Sequence, residues 1–89
     1  MFDMASRFKK NLQIMQKELA DGPALIDPYR RVLIQLNPTG VEIWGLLDGE
    51  RSVLEIIGAL RDRFEVSDET LKKDVISFLK ELFRREMMR

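Results

Sequence analysis

Along the second half of this chain apolar residues return at helical spacing, and in the first half a short stretch runs apolar and β-branched. Val41, Trp44 and Leu47 recur behind Asn37-Pro38. Asn accepts the unpaired amides of a first helical turn, and Pro is already set for the backbone angle of the next position. Asp48-Gly49 predicts the stop of this helix, since glycine takes the left-handed geometry of a helix end. Ser52-Val53-Leu54-Glu55 has the form of a capping box, and Val53, Ile56, Ile57, Leu60 and Phe64 supply the apolar stripe that follows it. Gly58 inside that helix costs about 1 kcal/mol relative to Ala, for which a close helix crossing is the plain explanation. A third and longest helix opens at Ser67-Asp68-Glu69, with its acids at the positive end of the helix dipole. Its core line runs through Leu71, Val75, Phe78 and Leu82, widened on one shoulder by Leu79, Phe83 and Ile76.

The first half is strand-like in part. Val32-Leu33-Ile34-Gln35-Leu36 is apolar and rich in β-branched residues, and Asp27-Pro28-Tyr29-Arg30 before it is turn chemistry. Ala24-Leu25-Ile26 is then the partner strand of a hairpin. Residues 12–19 can be read two ways. Phe8, Leu12, Met15 and Leu19 fit a helical stripe, and pattern alone favours a helix there.

Composition bounds the chemistry. The chain has 89 residues, one domain's worth, with residues 1–11 expected to be a solvated lead-in (Arg7-Phe8-Lys9-Lys10 read alternatively as a contact patch) and the last six read as a frayed tail or as a dock for a partner enzyme. Lys plus Arg number 15 and Asp plus Glu number 15, so the formal charge is zero. A nucleic-acid binder ordinarily carries a basic surplus to displace counterions from phosphates. Cys and His are both absent, which removes thiol chemistry, the commonest general base and the commonest transition-metal ligand. No cofactor, metal site or catalytic residue is expected, and the chain is not read as an enzyme. Without an apolar run long enough for a bilayer or a signal-like N-terminus, a cytoplasmic location is expected.

The motifs Leu36-Asn37-Pro38-Thr39-Gly40, Ile43-Trp44, Leu47-Asp48-Gly49, Ser52-Val53, Glu55-Ile56, Phe64, Asp74-Val75 and Phe78-Leu79 together resemble the PqqD family. The resemblance spans residues 12–86. Two departures stand out: Gly40, where the family usually has Ala and which should loosen the first helix without touching binding, and a first-strand segment whose helical look fits the family poorly. The resemblance implies an α+β fold, a small winged-helix-like domain with an N-terminal three-stranded antiparallel sheet followed by three helices. It also implies a non-catalytic module that binds the leader segment of a ribosomally synthesised precursor peptide. The leader adds as a further strand beside the third strand, against the third helix, and is presented to a modifying enzyme, commonly a radical SAM enzyme.

The residues expected to meet the peptide are Val32, Leu33, Ile34, Gln35 and Leu36 on the strand, with Leu71, Lys72, Val75, Ile76 and Leu79 on the helix. Ile76 and Leu79 are read as a groove floor and Lys72 as a cation for an acidic peptide. The competing reading makes residues 32–36 a fully paired central strand and packs the helix shoulder on the first helix or on a second copy. Trp44 is read as core, and Asp48 as a helix-end residue. Two further functional classes stay open: a winged-helix DNA-binding protein using Arg61 and Arg63, and a scaffold subunit that forms a homodimer.

Overall fold

The computed structural model describes residues 3–89. The elements follow in the order β1 (Arg7–Lys9), β2 (Met15–Leu19), β3 (Gly22–Asp27), β4 (Val32–Gln35), α1 (Pro38–Gly45), β5 (Asp48–Ser52), α2 (Val53–Arg61) and α3 (Asp68–Arg84). The α+β class, the three-stranded antiparallel sheet and the three helices are as expected, and a second, two-stranded sheet is added.

Residues 15–19 form a strand and not a helix. All five pair with β3, from Met15 with Ile26 to Leu19 with Gly22, around a two-residue turn at Ala20-Asp21. Gly22 leaves that turn at φ 114°, where a side chain would be strained. The helical stripe fails at Leu12, which is 96% exposed. Main-chain pairing to a neighbouring strand overrides local helix propensity here. At the other end of β3 the Asp27 carboxylate is fully buried. It accepts the amides of Tyr29 and Arg30 and the Gln13 side chain, which fixes the turn into β4.

The β3–β4 register pairs Asp27 with Val32, Ile26 with Leu33, Leu25 with Ile34 and Ala24 with Gln35. Leu36 continues the ladder by donating its N–H to the Pro23 carbonyl at 2.9 Å. Antiparallel pairs alternate between bonded and non-bonded. The Pro23–Leu36 bond therefore makes 25–34 and 27–32 the bonded pairs. Val32, Ile34 and Leu36 spend their main-chain groups on β3, while those of Leu33 and Gln35 point away from it.

The helix starts match the expectation. The Asn37 side chain accepts from Gly40 N–H, and Ser67 caps α3 through Thr70 N–H. At α2 the reciprocal pair is complete: Glu55 N–H to the Ser52 hydroxyl at 3.1 Å and Ser52 N–H to the Glu55 carboxylate at 2.9 Å. The predicted stop of α1 is corrected. The helix ends at Gly45, and Asp48-Gly49 opens β5 instead, with Asp48 accepting the amides of Glu50 and Arg51. Gly58 also needs another account than a close crossing, because a Cβ there would meet open space.

The core gathers Leu25 and Leu36 with Ile43, Trp44, Val53, Ile56, Ile57 and Leu60, and with the α3 stripe Leu71, Val75, Leu79 and Leu82. Both chain ends join it, contrary to the expected lead-in and frayed tail. Phe8, Met87 and Met88 are buried. Lys9 and Arg89 exchange main-chain bonds at 2.9 and 2.8 Å, and the carbonyls of Met4 and Ser6 accept the first amides of α2. Residues 1 and 2 of the expected lead-in lie outside the described residues.

Three outcomes follow. Amide exchange should be fast at Leu33 and Gln35 and slower at Val32, Ile34 and Leu36, a contrast that a one-residue slip in register would invert. Leu79→Ala should lower unfolding free energy by about 2–5 kcal/mol in urea titrations, and Ile76→Ala by much less. Ser52→Ala should cost about 1 kcal/mol at neutral pH. The Ser52 amide, then its hydroxyl, hold the Glu55 carboxyl below its ordinary value of 4.5. This contribution is present above that value and is lost as pH falls through the lowered one. The variant's stability should therefore fall less steeply in acid than the parent's.

Candidate functional site

An unpaired sheet edge is a row of main-chain donors and acceptors with nothing to bond but water, and proteins usually blunt such edges with charge. The three-stranded sheet has the order β2-β3-β4, so β4 is an edge strand, and among the described residues no strand pairs with its other side. The fully paired reading is thereby set aside. The opposite edge, β2, carries Lys17 and Glu18, whereas the four residues of β4 include no charge. Both edges lack a partner strand among the described residues, and β4 is the one that charge does not blunt.

The side chains of β4 divide as alternation requires. Val32 and Ile34 are half-buried against the core and Leu36 is buried, while Leu33 and Gln35 are exposed on the outer face. Where the strand runs out into α1, a cleft of about 390 Å³ opens between the start of α1 and one side of α3. Asn37, Thr39, Gly40 and Ile43 border it on one side, and Asp74, Ser77, Phe78 and Glu81 on the other. Gly40 is part of this wall and not only a loose point in α1. A Cβ there would come within 3.2 Å of Asn37 Oδ1 and 3.4 Å of both Leu36 and the Phe78 ring. The tight contact is with the Asn37 cap, while a methyl there would touch the Phe78 ring at an ordinary distance. Glu81 stays ionised, its carboxyl held below the ordinary range by Arg84 and then by Arg85.

The helix residues named from sequence fall elsewhere. Leu71, Val75 and Leu79 are fully buried, so Leu79 is core and not a groove floor. Lys72 and Ile76 border a different cleft, together with Glu69, Lys73, Ser77 and Lys80. Ile76 and Phe78 are two residues apart and so sit about 160° apart around the helix axis. The shoulder of α3 turned toward the end of β4 is the one carrying Asp74, Phe78 and Glu81. Spacing puts Phe78 in the core line, yet it is only half-buried. Which side of α3 borders a cleft depends on where α1 packs.

Trp44 is buried core as expected, with the Lys10 ammonium 5.6 Å from its ring centroid. No group of His, Cys, Asp and Glu suited to a metal ion occurs among the described residues, and no helix there is long and apolar enough to cross a membrane.

This arrangement has counterparts. A solved structure described as "Lasso peptide synthetase B1 complexed with the leader peptide" superposes with a TM-score of 0.78 at 21% identity, covering 94% of this chain and 99% of that one. A second, "TbiB1 in Complex with the TbiA(beta) Leader Peptide", gives 0.74 at 23% identity over 91% and 94%. At these identities the likeness speaks for the fold alone. The PqqA binding protein of Azotobacter vinelandii (strain DJ / ATCC BAA-1303) is 41% identical over 51 residues, 57% of this chain. That match spans about half of the relative's length, at 54%. The family described as "Coenzyme PQQ synthesis protein D (PqqD)" matches residues 24–88, which takes in β4, the cleft and all three helices. On that match the chain belongs to the PqqD family.

Proposed function

We propose that this domain is a non-catalytic receptor for an extended peptide, the leader segment of a ribosomally made precursor, which it holds as an added strand on β4 and presents to a separate modifying enzyme. The observation that carries the reading is the open, uncharged β4 edge. Leu33 and Gln35 aim their main-chain groups outward beside a cleft bordered by Phe78. Strand addition draws affinity from main-chain bonds and selectivity from pockets for alternate side chains. Relatives support it: one is named for binding PqqA, and two structures of the same fold are described with leader peptides. The modifying enzyme is read as a radical SAM enzyme, from the family resemblance. In this reading Lys72 and Ile76 lie outside the groove, and Phe78 takes the place given to Leu79.

The DNA-binding reading gains nothing from the structure. Arg61 is bound to Asp68 at 3.0 Å and Arg63 to Glu42, so both cations are engaged within the protein.

Gln35→Pro tests strand addition directly. Its amide lies on the free side of β4, where Pro is tolerated in an edge strand but cannot donate to an incoming one. Fluorescence anisotropy with a labelled leader from the precursor encoded beside this gene should show binding weakened about tenfold. The circular dichroism spectrum should be preserved. Unchanged affinity in the folded variant overturns the proposal.

A further inference from the structure

The outer face of the three-stranded sheet, turned away from the helices, is not uniformly polar. Met15 pairs with Ile26, and Ile26 with Leu33, so three apolar side chains lie in one row across β2, β3 and β4. Met15 is 41% exposed and Leu33 51%, with Ile26 half-buried between them. The next row on the same face is different: Lys17, Ala24 and Gln35. The apolar row ends at the open edge, on Leu33, one of the two β4 residues whose main-chain groups are free.

Any strand added to that edge places one residue directly opposite Leu33, with its side chain on the same outer face. That side chain extends the row from three to four. From this we infer that the peptide position opposite Leu33 is an apolar selectivity site on the outer face of the sheet, separate from the cleft at Phe78. The inference rests on strand addition at β4. It requires a bound strand with apolar side chains on both faces: one set toward α3, and one residue against Leu33. Two positions along, opposite Gln35 and in line with Lys17, a polar residue is accommodated. The alternation thereby sets the peptide's register, since a slip of one residue carries the apolar side chain to the other face.

The test is selection from a phage-displayed library of random extended peptides on the parent protein, on Leu33→Lys and on Leu33→Val. Leu33 is half-exposed and outside the core, so these replacements leave the fold in place. Peptides enriched on the parent should carry an apolar residue at one fixed position. Leu33→Lys should replace that residue with Asp or Glu and leave the other positions alone, while Leu33→Val should keep it apolar. A parent-selected peptide should bind Leu33→Lys on the order of 2- to 5-fold more weakly, the range of a cross-strand pair.

Amide exchange on the complex with that peptide separates the two levels of the argument. Protection of Leu33 and Gln35 together with an identical consensus on parent and Leu33→Lys overturns the selectivity site and keeps strand addition. Absence of that protection, or failure of the parent to enrich any peptide, overturns strand addition and the selectivity site with it.

Discussion

Because Leu36 donates its amide to Pro23, the β3–β4 ladder is held in one of its two parities. That one constraint assigns every group on β4. Val32 and Ile34 face the core and bond inward, and Leu33 and Gln35 face solvent and bond outward. The opposite parity would turn Leu33 and Gln35 toward the helices and offer the edge groups of Val32 and Ile34. The buried Asp27 carboxylate supports the same parity from the other end by fixing the turn that launches β4.

One face of the sheet joins, through Leu25 and Leu36, the same core that the α3 stripe fills. Leu71, Val75, Leu79 and Leu82 recur at spacings of four, four and three, and they are fully buried in the core that α3 shares with α1 and α2. Once that stripe is spent on the core, only the shoulders of α3 can meet anything else. The Phe78 shoulder borders the cleft against α1, and the Ile76 shoulder faces solvent among Lys72, Lys73 and Lys80. The two shoulders therefore differ in character: one closes a cleft beside an open strand, and the other is a charged surface.

The second sheet serves a different purpose. Its strands are three and five residues long, and β5 is polar. It joins the first segment of the chain to the entrance of α2, while residues 87–89 pair with residues 9–11 on the other side. These pairings tie both ends to the core, and Glu86 reaches Arg30 at the turn before β4, while among the described residues no strand pairs with the outer side of β4.

What the sequence determined alone was local. Asn37, Ser52 and Ser67 announced the helix starts because a cap acts on amides two or three residues away. The faces of β4 were legible because strand alternation is a property of consecutive residues. Residues 15–19 were not, since their helical spacing was overruled by bonds to β3. The same holds for β1 and β5, too short and too polar to show a pattern. Which edge stays open, and which shoulder of α3 borders it, was decided by tertiary structure. Both depend on meetings such as Met15 with Ile26 and the cleft residues of α1 with Phe78, between residues that no local spacing relates.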